Sequence, residues 1–304
     1  MLDRSLAPEF RIPDDFDLIE PEKHILQSGA SVFHMPTPNL DAVKIEVIGK
    51  GQRANLPLSQ TLLPSFTLQM LAEGTQKRDA EQIANFLDFH ASEISPILTF
   101  GHEGMSILST KLHIFEILPL FLEIIETPTF PLEMLAKRKS QRRLSIQLKK
   151  EKTASRASQL FRQSLFGKNH PYGVEIDFEH VDEIKQEQLH FYSSQLLWQN
   201  LEIFVTGNFS SSEWEKLIEF LEQIPNRKGL EPILLPQPES IDSFHEIRES
   251  AVQSSIRVGK FSIPKTHPDF IPLSVFNTIL GGYFGSRLIK NIREDKGHTY
   301  GIYS

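Results

Sequence analysis

The chain contains no cysteine. Its absence excludes disulfides, thiolate metal centres and cysteine nucleophiles, and leaves the cellular compartment open. Long hydrophobic runs are missing as well. The most apolar stretch, residues 112–125, is interrupted by Glu116 and Glu123 and is shorter than the roughly 20 residues a spanning helix needs. The first residues, Met1 to Phe10, show no basic-then-apolar leader pattern. The expectation is a cytoplasmic protein with no membrane partner; a removed leader would make it periplasmic. An excess of positive charge is also lacking. A net charge of −7 argues against a general nucleic-acid binder, although not against a local basic patch.

What is present is a globular composition, 39% hydrophobic and 23% charged, over 304 residues. That length exceeds one ordinary core and fits two domains. Residues 1–22 read as a Pro- and Asp-rich arm. Residues 23–225 read as a first domain, the proline-rich stretch 226–240 as a linker, and 241–304 as the start of a second domain.

In the first domain, strand-like runs at 24–34 and 42–49 precede a helical pattern over 58–72, with Gly74 just past its end. Pro64 inside that pattern predicts a kink or a late helix start. A second helix, 79–90, opens with Asp79 and Gln82 in capping-box register. Strands around 97–100 and 105–112, and a helix over 113–125, follow. A long polar helix is predicted from 132 to 166. It carries Lys137, Arg138, Lys139, Arg142, Arg143, Lys149, Lys150 and Lys152. No aromatic platform interleaves these charges, so they read as a solvated face or an acidic-partner rim rather than a nucleic-acid surface. Residues 165–173 form a helix stop and loop in which His170 reads as a turn residue.

A helix over 181–195, a strand at 201–206 and a helix at 212–224 complete this domain. His180, Glu183, Glu187 and His190 could share a helix face, but the spacing covers three turns, too far for all four to reach one ion. Beyond the linker, residues 251–261 read as a strand and 268–280 as a helix, a weak echo of residues 42–75.

The last two dozen residues are the most specific. Gly281, Gly282, Gly285 and Ser286 make a small-residue loop. A short amphipathic helix follows, with Leu288, Ile289 and Ile292 on one side and Gly297 as its stop. An alternating strand then begins at Tyr300. The loop lacks the phosphate-cradling G-x-x-x-x-G-K-[ST] pattern. By spacing alone, the stretch is as well explained by a core-supporting turn.

This stretch, Gly-Gly-x-x-x-Ser-Arg-Leu-x-x-x-Ile-Arg-Glu-x-Lys-Gly-x-x-Tyr, resembles the second-domain signature of the pitrilysin/insulinase peptidases, in their processing-peptidase-like branch. The segments 165–173 and 200–209 are similar to that family too. The resemblance implies an α+β fold: a metallohydrolase-like domain with an antiparallel-rich sheet flanked by helices. A second, similar domain would follow, incomplete in a chain that stops at Ser304. Arg293 and Tyr300 match an Arg and a Tyr that reach, in the family, into a site whose metal sits on another domain. Gly281, Gly282, Gly285 and Ser286 would let an extended peptide approach the backbone.

Active members carry H-x-x-E-H on the helix that here spans 58–72. Two imidazoles at i and i+4 share a face and bind zinc, and the Glu activates the bound water. The corresponding positions here are Ser65, Leu68 and Gln69, which in isolation would pass as ordinary helix residues. The third family ligand, a Glu on the long polar helix, aligns with Ser145.

All ligands and the base are therefore replaced together. The resemblance implies a zinc-free, non-catalytic subunit of a heterodimeric zinc peptidase, inactive on its own. It would lend Arg293 and Tyr300 to a homologous partner bearing H-x-x-E-H and zinc. The alternative is a structural or assembly subunit in which the Arg and Tyr are relics.

Overall fold

The computed structural model describes residues 19–230, 244–249 and 251–304. Most of the arm (1–18) and of the linker (231–240) lies outside the described residues. The chain divides into two units, one ending at Ser255 and one running from Ile256 to Ser304.

The first unit is built on a six-stranded sheet: β1 (Glu22–Ile25), β2 (Ser31–Met35), β3 (Ala42–Lys50), β4 (Glu93–Leu98), β5 (His102–Thr110) and β6 (Glu202–Thr206). The spatial order is β1-β2-β6-β3-β5-β4. Only β2 and β6 run parallel; every other neighbouring pair is antiparallel. Strand β3 shows why one face is core. Val43, Ile45 and Val47 alternate inward and are fully buried, and Lys44 and Glu46 point the other way.

Helices cover the apolar face: α1 (Leu63–Met70), α2 (Ala80–Phe89), α3 (Ile114–Glu126), α4 (Leu132–Glu151), α5 (Thr153–Phe166), α6 (Phe178–Asp182), α7 (Gln186–Phe191) and α8 (Ser211–Leu221). Helix α3 buries Ile114, Ile117, Leu118, Leu120, Phe121, Leu122, Ile124 and Ile125, and so is enclosed nearly all round. The predicted capping box forms at α2: Asp79 Oδ1 accepts from the Gln82 N–H at 2.8 Å, and Gln82 Oε1 accepts from the Asp79 N–H at 3.0 Å.

Four expectations need correction in this unit. The run 24–34 is a hairpin of β1 and β2 rather than one strand, because Gly29 adopts φ +81° and reverses the chain. The helix expected from residue 58 starts at Leu63, with a 3₁₀ turn at Leu58–Gln60 before it and Pro64 in its first turn. The long helix 132–166 breaks at Lys152, whose backbone is extended; beyond the break, Arg156 of α5 pairs with both Glu175 and Glu246. The helix 181–195 is instead α6, α7 and a wide turn over Tyr192–Leu196. Asp177 caps α6 by accepting the Phe178 N–H.

The second unit contains α9 (Phe270–Asn277) followed by wide helical turns at Thr278–Gly282 and Ile289–Glu294. The strands expected at 251–261 and from Tyr300 are not formed. A strand exists only where a neighbour accepts its backbone hydrogen bonds, and no ladder is present among these described residues. The echo of residues 42–75 is therefore reduced to a helix and a loop. Gly297 does end its helical stretch, at φ +62°. Ile271, Val275, Phe276, Ile279 and Phe284 are all exposed.

Strand β5 carries two residues on which the sheet is sensitive. A Cβ at Gly104 would land on the carbonyl oxygen of Val47 in β3, which is backbone and cannot swing away. Gly104→Ala is expected to destabilise the chain by about 3 kcal/mol, read as a lower urea midpoint with unchanged m-value. An unshifted midpoint would show that β3 and β5 are not this close.

Next to it, Glu103 is 1% exposed and accepts from the Tyr192 hydroxyl at 2.9 and 2.7 Å. Burial pushes its pKa from an ordinary 4.5 up to about 7, against the lowering effect of hydrogen bonds from Tyr192 and the Gln52 backbone. The folded chain thus holds this proton more tightly than the unfolded chain. The resulting stabilisation is complete below the ordinary value and is lost as pH rises through about 7. The unfolding free energy is expected to fall across that window by on the order of 3 kcal/mol relative to Glu103→Gln. Equal pH slopes in the two proteins would refute the assignment.

Candidate functional site

Helix α1 is buried on almost every side. Leu63, Pro64, Phe66, Thr67, Leu68 and Met70 are all in the core. What remains uncovered is a narrow stripe made by half-buried Ser65 and exposed Gln69, one turn apart. This is the i, i+4 stripe from which paired imidazoles would reach a metal. Here the Ser65 hydroxyl donates to the Leu62 carbonyl at 2.8 Å, so it is engaged with its own helix. Leu68 is 1% exposed and forms part of the hydrocarbon core.

Helix α4 lies against the end of α1. Arg138 pairs with Glu73 and reaches the Gln69 carbonyl at 3.5 Å. Ser145 lies two turns further along α4, half-buried. The face that carries it also carries Arg142 one turn before and Lys149 one turn after. Burial lowers the pKa of both groups, and the Arg142 charge lowers that of Lys149 further. Among the described residues, the buried Nε of Arg142 has no hydrogen-bond partner.

A zinc ion implied by the family resemblance does not fit these residues. The two positions on α1 offer a hydroxyl and an amide, α4 offers a second hydroxyl, and the nearest ionic groups on that face of α4 are cations. Zinc is held by thiolate, imidazole and carboxylate donors, none of which is present at these positions.

The predicted residues of the second unit occupy one segment but are not bound to each other. The Arg293 guanidinium sits 5.2 Å above the Phe284 ring. The Tyr300 ring is 89% exposed. Among the described residues no hydrogen bond joins them. Gly281 is buried, and a side chain there would collide with Ser304, whose N–H donates to the Gly281 carbonyl at 3.3 Å. Gly282 is exposed, Gly285 half-buried and Ser286 fully buried.

The other histidines considered are structural. His170 is 3% exposed, stacks on Phe166 and accepts the Tyr172 N–H at 3.1 Å; burial holds its pKa below the usual range. His180 accepts the Asp177 N–H at α6, and His190 of α7 sits edge-on to Phe130. Among the described residues, His90, His113 and Glu116 converge at ligand distance, and that cluster escaped the sequence reading.

The family described as "Peptidase M16 inactive domain" matches residues 184–304. A Bacillus subtilis protein named "Uncharacterized zinc protease YmxG" is 24% identical over 294 residues, 93% of this chain and 69% of that protein. A second Bacillus subtilis protein, "Probable inactive metalloprotease YmfF", is 28% identical over 144 residues, 44% of this chain and 32% of its own length. The crystal structure of a peptidase M16 inactive domain from Pseudomonas fluorescens superposes with a TM-score of 0.76 at 23% identity. It covers 93% of this chain and 70% of its own, so the fold is shared. The C-terminal part of the chain, residues 184–304, thus matches the peptidase M16 inactive domain, and the chain shares its fold with a solved structure of that description.

Proposed function

We propose that this chain is the non-catalytic half of a two-subunit zinc peptidase. A homologous partner bearing H-x-x-E-H would supply the metal, and this chain would supply Arg293 and Tyr300. The observation that carries the reading is a contrast within one sequence. Every donor position on α1 and α4 is replaced, yet the Arg and Tyr of the C-terminal signature are both kept.

Chemically, the two retained groups suit peptide hydrolysis at another chain's metal. An exposed phenol can donate a hydrogen bond to the oxyanion of a tetrahedral intermediate, and a guanidinium can hold a substrate carbonyl. The small residues Gly282, Gly285 and Ser286 permit close approach of an extended peptide. The apolar side chains exposed on the second unit are of the kind protein partners cover.

A structural or assembly role is favoured by a different observation. Gly281 is occupied by Ser304 rather than open to a peptide. In that reading the chain sits in a larger complex without peptidase activity, and Arg293 and Tyr300 do no work.

Reconstitution with the metal-bearing homologue separates the two. Peptide cleavage is expected only from the mixture, with Tyr300→Phe lowering kcat by about 100-fold and leaving KM nearly unchanged. Activity in the mixture that ignores Tyr300→Phe would refute the division of labour. A stable complex with no activity would support the assembly role.

A further inference from the structure

Away from α1 and α4, one cluster of ligand-type side chains among the described residues is assembled from two elements. His90 is the residue that ends α2, and His113 and Glu116 open α3. Glu116 Oε2 lies 2.9 Å from His90 Nε2 and 3.0 Å from His113 Nδ1. Ligand atoms of all three residues fall within 4.8 Å of one another. The two imidazoles meet edge-on with ring centres 5.1 Å apart.

Hydrogen-bond accounting makes His90 informative. Its Nδ1 lies 2.8 Å from the Phe86 carbonyl, which can only accept, so Nδ1 carries a proton. In a neutral ring this leaves a lone pair on Nε2, aimed at a carboxylate oxygen 2.9 Å away. Two acceptors do not face each other at that distance unless something positive lies between them. That can be a second ring proton or a metal ion.

Several features suit the metal. A ligating imidazole typically donates its other N–H to a carbonyl or carboxylate, which fixes tautomer and orientation, and Phe86 plays that part here. His90 is also held by the Phe86 and Phe89 rings at 4.3 and 5.0 Å. Two donors on a tetrahedral zinc stand about 3.3 Å apart at normal bond lengths. The observed 2.9 and 3.0 Å to Glu116 therefore need to open by only a few tenths of an ångström, and the two imidazole nitrogens, within 4.8 Å of each other, would draw together. His90 is buried and Glu116 exposed, so the cluster runs from the core to the surface.

We propose that His90, His113 and Glu116 form a zinc site, with water as fourth ligand, that clamps the end of α2 to the start of α3. These two helices bracket the edge hairpin β4–β5, so the ion ties down one side of the sheet. The site uses none of the family's zinc positions and does not rest on the role proposed for Arg293 and Tyr300. It departs from the expectation of a metal-free chain, at a place the sequence did not point to.

The test is calorimetric titration of Zn²⁺ into the chelator-stripped full chain, with Co²⁺ absorption as the coordination readout. One equivalent is expected, with four-coordinate Co²⁺ bands and a higher Tm in zinc. His113→Ala and Glu116→Gln, both on the solvent side of the cluster, are each expected to weaken binding by more than about 100-fold, beyond the usual worth of an outer-shell group. Because His90 is buried, its replacement could unfold α2, and the two α3 variants carry the decision. No stoichiometric binding would overturn the site. Binding unaffected by both α3 variants would overturn it too.

Discussion

A divalent cation stays on a protein only where electron-pair donors outweigh the cost of stripping its water, and where neighbouring charge is not positive. That constraint decides what this chain can be. The uncovered stripe of α1 presents a hydroxyl already bonded to its own helix and a primary amide. The facing helix α4 surrounds its own hydroxyl, Ser145, with Arg142 and Lys149.

Core packing fixes α1: Leu63, Phe66, Leu68 and Met70 bury it, so the position of its open stripe is set by hydrocarbon rather than by ligands. The Arg138–Glu73 pair then anchors α4 at the end of α1. Leu68 adds apolar area to the core and offers no group for proton transfer. By contrast, the donors that do converge at ligand distance, on α2 and α3, lie outside the family's positions.

Much of the first unit was legible because its signals are local. The Asp79–Gln82 capping box, the late helix start at Pro64 and the alternation of β3 each depend on residues within a turn or two. The failures came where the deciding partner is distant. Residues 251–261 and 300–304 have strand composition but no neighbour to pair with among the described residues, and composition cannot supply one. The break at Lys152 carries no Gly or Pro; the Arg156 contacts to Glu175 and Glu246 that follow it are tertiary. The absence of imidazole and carboxylate side chains at positions 65, 69 and 145 was readable directly. The His90–His113–Glu116 cluster was not, since an entire hairpin separates its halves and only the sheet brings them together. Half of it was visible as an i, i+3 pair at the start of α3, the signal a closer reading would have used.

The most direct measurement of the central claim is anomalous diffraction at the zinc edge from crystals of this chain grown or soaked in zinc. The expected map has no peak in coordinating contact with Ser65, Gln69 and Ser145. An ordered zinc ion bound by those three side chains would contradict the account.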